Sequence, residues 1–425
     1  MRAQLALLAL ASVMGLSAQT FRAAVATADI TPSGPQWLLG YTARQSTGVH
    51  DRIHHRVLVL DDGRTSFVLA STELCLVSPA FYDELAAELQ QETGIDRLHF
   101  WWTFTHTHSA PETGPPGLAR AFMPERYKHG YDQDYARLVK TSLIQAVKEA
   151  RAKLIPARLS TAVGKSSANI NRRARTPDGH ILLGMNPDGP VDRQLGLMKL
   201  TGSDGALIAV IANYAMHGTV LGAENLLISG DAPGVVAAYV EQKLGAPLLF
   251  INGAAGDIAP IYSTRSLQGS HLAEFSVLLG DRILAVTRTM DAGSTDVRLQ
   301  AGEKIIETPL SKGFAWEEPL RSYLHSGDSG TSRISLPVRF LKLTGDLAIW
   351  AAPVELFCEI STEVRNRSPF QHTFYFGYTN GWLGYLPTKS AFAEGGYEIK
   401  TSPYTEQAEA DVLQTVTTYF QGLPR

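Results

Sequence analysis

The chain has 425 residues, of which 44% are apolar and 19% charged, with a formal net charge of −3. That is enough apolar material for a sizeable core, and the length accommodates roughly one to three domains. The near-balanced charge, without a block of five like charges, excludes nucleic acid as a partner, because phosphate binding needs clustered Lys and Arg.

The opening "MRAQLALLALASVMGLSAQT" reads as a signal peptide: Arg2 is a short positive start, Leu5 to Val13 an apolar stretch, and small residues near Ala18 a cleavage zone. Residues 1–18 are therefore expected to be removed, leaving 19–425 as one exported, soluble domain, periplasmic or secreted. No later stretch approaches the ~20 uncharged apolar residues of a membrane span. Only Cys75 and Cys358 are present; a disulfide between them and two buried free thiols both stay open. Two cysteines cannot build a thiolate zinc site, so any metal must be held by His and carboxylate.

Downstream, "HRVLVLDDGRTSFVLAST" is two apolar runs joined by Asp-Asp-Gly, a hairpin signal. "SPAFYDELAAELQQETG" follows as a helix, with Ser78 as N-cap, Pro79 at its first position, Phe81, Leu85 and Leu89 on one stripe, and Gly94 as C-cap. "RLHFWWTFT" reads as a strand. A helix carries Tyr135, Val139, Leu143, Val147 and Ala150 on one face. "GLMKL", "ALIAVIANY" and "PLLFI" are strands, with helices at "GVVAAYVEQKLG" and "HLAEFSVLLGDRILAVT". The polar "HSGDSGTSR" is the sole candidate linker, and a short one. After it come strands "PVRFLKL" and "LAIWAAP", helix "LFCEISTEVRNR", strand "HTFYFGY" and a last helix from Glu406 to Phe420. This alternation predicts an α/β fold of mixed β-sheets flanked by helices in a single large domain.

Polar clusters directly follow apolar strands: "THTHS" after "HFWWTF", "NYAMHGT" after "ALIAVIA", "NGAAGD" after "PLLFI" and "PVE" after "LAIWAA". In open α/β sheets, ligands gather beyond the carboxyl ends of strands, so these segments are expected to converge there. In extended geometry His106 and His108 share a face. His217 is a third candidate, and Glu355 adds a carboxylate that can complete the ligand set of a zinc ion. Spacing does not choose which histidine ligates.

With these motifs in hand, the chain resembles the neutral/alkaline non-lysosomal ceramidase family, zinc-dependent hydrolases of the N-acyl bond of ceramide. "ATADITP", "LLGYTARQSTGVHDRI", "THTHS", "NINR", "NYAMHGTVLGAENLLISGDAPG", "GAAGDIAP" and "GYLPTKSAFAEGGYE" carry the likeness. It implies Zn2+ held by His106, His217, Glu355 and Tyr385. It also implies His108 as a proton-transfer group, with Tyr397 and Arg172 at the reaction centre or on the substrate. The implied partner is a lipid amide or another small-molecule substrate, which brings contact with a membrane surface into view; nothing here sets an oligomeric state. Asp231 and Asp257 read as acids that structure loops, and Ser109 as a loop hydrogen-bonder.

Three departures stand out. Ala259 replaces the family's usual serine, Val354 its usual glycine, and "RARTPDGHILLGMNPDGP" its usual continuation after Asn-Arg. The immunoglobulin-like domain that larger members carry C-terminally is not expected within these residues. A hydrolase of another amide or ester, and a zinc-bearing binding protein without turnover, are the alternatives that Ala259 keeps open.

Overall fold

Alternation along single strands sets the layers. In His54–Asp61, Val57 and Val59 join one core cluster and Leu58 and Leu60 another. In Phe100–Phe104, Phe100, Trp102 and Phe104 side with the valines and Trp101 with the leucines. A sheet buried on both faces needs such double coverage. The computed structural model describes residues 20–263, 271–311, 316, 318–326 and 332–424. The expected signal segment, residues 1–18, lies outside these.

The larger sheet has eight strands, in the order Leu248–Asn252, Leu207–Tyr214, Gln194–Gly202, Ile155–Lys165, Arg22–Asp29, His54–Asp61, Ser66–Thr72 and Phe100–Phe104. Its interior pairs are antiparallel and the pair at each edge is parallel. Parallel neighbours need a crossover, and helices Pro79–Thr93 and Asp231–Leu244 supply it. The smaller sheet runs Gln300–Pro309, Ser332–Lys342, Leu347–Ala351, His372–Phe376. Its last pair is also parallel, crossed by helix Cys358–Arg367.

One face of the larger sheet packs on helices Pro79–Thr93 and Gln133–Ala152 through Phe81, Leu85, Val139 and Leu143. The other face meets the smaller sheet through Leu341, Leu347, Ile349 and Phe374. The outer face of the smaller sheet carries Phe340 and Trp350 against Ile360, Val364, Val412 and Val416. The result is helices, sheet, sheet, helices.

The larger sheet also curls. Ser71 Oγ donates to the Phe250 carbonyl at 2.6 Å, and Asn252 Nδ2 to the Thr105 carbonyl at 3.2 Å, so side chains join its two parallel edges. The carboxyl ends of both edge pairs therefore open on one spot, beside those of the parallel pair in the smaller sheet.

The predicted hairpin and the helix with its Ser78 and Gly94 caps form as expected. Two readings need correction. The described ends of "HSGDSGTSR" are strand rather than linker: Leu324–Ser326 pairs antiparallel with Ser332–Lys342, and 327–331 lie outside the described residues. The helix expected over 271–287 begins as a π-helical turn at Ser276–Gly280, and the α-helix follows at Asp281–Thr289. There Gly280 lies where a Cβ would meet the Tyr239 ring at 2.7 Å, a close approach that a larger residue would block.

Candidate metal centre

After Phe104 the chain does not continue as a strand. His106 takes φ 63, the left-handed region that non-glycine residues rarely enter. His106 and His108 therefore meet through a turn rather than across one strand face, with their Nε2 atoms 3.4 Å apart. The turn is locked to the second histidine segment. His108 N donates to the Gly218 carbonyl at 2.9 Å, and Gly218 N to the His106 carbonyl at 3.2 Å. A Cβ on Gly218 would lie 2.7 Å from Thr107 Cα, so glycine is what allows the two segments to touch.

Three side chains meet here. Glu355 Oε2 lies 3.3 Å from His106 Nε2 and 3.0 Å from His217 Nε2, and the donor atoms of all three lie within 4.8 Å of one another. All three residues are buried. His106 Nδ1–H donates to the Cys75 carbonyl at 2.9 Å and His217 Nδ1–H to the Ile258 carbonyl at 3.0 Å. These backbone acceptors engage each Nδ1 and hold each ring with its Nε2 turned inward, the atom a metal would take up. Trp382 Nε1 donates to Glu355 Oε1 at 2.9 Å and Tyr378 OH to Oε2 at 3.3 Å. Tyr378 also stacks on His106, with centroids 4.0 Å apart. Two oriented imidazoles and an ionised carboxylate suit a divalent cation of nitrogen and oxygen preference. Cys75, His106 and His108 form a second close group. There the Nδ1 of His106 is committed to the Cys75 carbonyl, so it offers no open nitrogen on the Cys75 side.

Arg172 connects the remaining residues. Its Nη1 reaches His217 Nε2 at 2.8 Å, Nη2 reaches Tyr385 OH at 3.1 Å, and Nε reaches Glu398 Oε1 at 2.9 Å. Tyr385 stands opposite Glu355 in a short parallel ladder. Tyr397 is one ring further out, edge-on to Tyr385 at 5.8 Å, its OH donating to Met123 Sδ at 3.7 Å. His108 is half-buried; Tyr41 packs edge-on to it at 4.9 Å, and Gly40, at φ 121, leaves room where a Cβ would come within 2.5 Å of the ring.

Burial opposes every charge here, and neighbours decide the outcome. Burial would raise the Glu355 carboxyl, but His106 and His217 hold it well below the usual range. Burial, with Arg172 beside it, pushes His217 down to about 3. For His106, Cys75 and Glu355 outweigh burial and push it up to about 10. Burial, then the charges of His106 and His217, pushes His108 well below its ordinary value, so it is a neutral proton acceptor. Burial raises Tyr385 well above the phenol range against the pull of Arg172. Ligation by its oxygen thus needs a cation's charge.

Of the sequence candidates, His106, His108, His217 and Glu355 come together, Arg172 joins them to Tyr385, and Tyr397 flanks the group. Asp231 and Asp257 structure loops: Asp231 accepts from the backbone N–H of Val220, Leu221 and Ala232, and Asp257 from Cys358 N and Asn171 Nδ2. Burial pushes them up to about 6 and about 7. Ser109 Oγ accepts from Asn225 Nδ2. Ala259 is buried beside Ile258, the carbonyl partner of His217. Cys75 and Cys358 are buried free thiols. Sequence reasoning missed Tyr378, Trp382 and Glu398; the dense "GYTNGWLGY" run just before Leu386 was the available signal for the two aromatics.

A family model described as "Neutral/alkaline non-lysosomal ceramidase, N-terminal" matches residues 21–260, more than half of the chain. The chain belongs to this family. The ceramidase match includes His106, His108, Arg172 and His217, while Glu355, Tyr385 and Tyr397 lie beyond it. The neutral ceramidase of Pseudomonas aeruginosa is 26% identical over 271 residues, 60% of this chain and 39% of that protein. That of Mycobacterium tuberculosis is 27% identical over 235 residues, 51% of this chain and 35% of that protein. The matched segments thus span well under half the length of these ceramidases. The crystal structure of the Pseudomonas aeruginosa neutral ceramidase matches with a TM-score of 0.77 at 19% identity, covering 96% of this chain and 75% of that one. At that identity the likeness establishes the fold.

Proposed function

We propose that this chain is a zinc-dependent amidohydrolase that cleaves the N-acyl bond of ceramide or a related lipid amide. The observation that carries the reading is the convergence of His106 Nε2, His217 Nε2 and Glu355 Oε2, with Tyr385 opposite Glu355. These four residues would hold the ion. When bound, zinc supplies Lewis acidity, lowering the pKa of water to about 7 and polarising a carbonyl.

The chain's own groups do the rest. Water adds to the amide carbon, the C–N bond breaks, and a fatty acid and an amine leave. His108, neutral and half-buried, takes a proton at Nε2 and returns it to the departing nitrogen. Arg172 holds a fixed positive charge for the oxyanion, and the Tyr397 hydroxyl flanks it; one such donor contributes about 3 kcal/mol. The route uses no side-chain nucleophile, so Ala259 is compatible with turnover.

Ala259 also favours a second reading, an amide or ester substrate other than ceramide, because a buried methyl stands where the family places a hydroxyl. Elemental analysis of the purified protein decides the metal. Hydrolysis of N-acyl sphingosines, other N-acyl amines and acyl esters, with and without chelator, decides the substrate. Chelator-sensitive turnover of the N-acyl sphingosines supports the first reading, and turnover of esters alone the second. No turnover with ligand-induced thermal stabilisation would leave a binding protein. Export belongs to the same proposal, and the exported protein should begin at Gln19.

A further inference from the structure

Among the buried charges near the centre, Glu398 touches neither His106, His217 nor Glu355 in any hydrogen bond, yet it is completely buried and grips two arginines. Its Oε1 takes the Nε–H of Arg172 at 2.9 Å, and its Oε2 takes the Nη1–H of Arg173 at 2.9 Å. Arg172 and Arg173 are neighbours on strand Asn169–Arg175. Their long side chains converge on one carboxylate at the start of helix Tyr397–Lys400. Arg173 is held in turn by Glu394 Oε2 at 3.1 Å and the Gly395 carbonyl at 3.0 Å.

A guanidinium is a rigid planar fork. With Nε committed to Glu398, the opposite edge is turned to the centre, Nη1 to His217 and Nη2 to Tyr385. We propose that Glu398, braced from behind by Arg173, is the positioning residue that fixes the angle of the Arg172 guanidinium toward the reacting group. Arg173 is the first residue of the segment in which this chain departs from the family's usual continuation after Asn-Arg.

This inference rests on the hydrolase reading for its kinetic arm only. Glu398→Gln is expected to lower kcat about 10- to 100-fold, with KM changed less than about threefold. In an Arg172→Met background the same substitution should change kcat less than about twofold, because its effect passes through Arg172. An equal loss in both backgrounds, or no loss in either, would overturn the proposal. If Glu398→Gln does not fold, Arg173→Met, which removes only the brace, takes its place in the cycle. An arm free of turnover uses 15N-arginine-labelled protein: the Arg172 Nε–H should exchange slowly in the wild type and rapidly in Glu398→Gln, and unchanged protection overturns the proposal. Wild-type protein that hydrolyses nothing would sink the hydrolase reading, while the Nε–H signal still decides the role of Glu398.

Discussion

Two buried clusters of charge lie at strand ends in this molecule, and they are built on opposite plans. In the first, Arg56 Nη1 reaches Glu73 Oε1 at 2.6 Å and its Nε reaches Glu241 Oε1 at 2.6 Å. Glu73 Oε2 accepts from His54 N, and Glu241 Oε1 from Leu248 N. Each charge answers another, and the cluster clamps helix Asp231–Leu244 to the larger sheet. In the second, His106 Nε2, His217 Nε2 and Glu355 Oε2 converge on one point, and the backbone carbonyls behind the two imidazoles keep both Nε2 atoms turned inward. A network that closes on itself holds a fold. One that converges acceptors asks for a cation from outside.

The strongest challenge to that contrast is His106→Ala. It should abolish stoichiometric zinc in elemental analysis and lower hydrolysis by at least about 10³-fold, several kcal/mol of transition-state stabilisation, with no recovery on added zinc. Retained metal and activity would break the contrast. Glu73→Gln should do the reverse. It leaves Arg56 short of its partner and costs about 3–5 kcal/mol in denaturant unfolding, with metal content unchanged.

The pH dependence of folding separates a third kind of buried group. His55 is neutral, with Nε2–H donating to the Val139 carbonyl and Nδ1 accepting from the Thr72 hydroxyl; burial pushes it down to about 4. The unfolded chain takes up the proton first, so this contribution is complete above about pH 6.5 and is lost as pH falls toward 4. The gap corresponds to about 3 kcal/mol. Stability curves of the wild type and His55→Gln should differ in slope across that window, and parallel curves would reject the assignment. Trp382→Phe should have the smallest effect. Losing the donor to Glu355 Oε1 should weaken metal affinity about 10- to 100-fold in a competition titration while leaving the fold intact.

Local signals made much of the fold legible. Ser78 and Gly94 bounded a helix correctly because caps act within one turn. The strand-end clusters pointed to His106, His108, His217 and Glu355 because parallel strands deliver their carboxyl ends to a common edge. Other features needed information no local window holds. Gln300–Pro309, "QAGEKIIETP", mixes charges with its isoleucines and lacks a clear apolar alternation, so its strand stayed hidden. The curl that joins the edges of the larger sheet depends on Ser71 and Asn252, whose small polar side chains announce nothing. Tyr378 and Trp382 are buried core aromatics, a type whose polar use no local window reveals. Their hydroxyl and indole N–H, aimed at one carboxylate, give them a second use.

The four residues that would hold the ion are scattered from position 106 to position 385. During synthesis the two histidines emerge long before the glutamate and the tyrosine. A growing chain therefore carries only half a coordination set until its last third has left the ribosome. On the proposed coordination set, loading would come late, and a truncated or stalled product would lack the activity proposed for the whole chain.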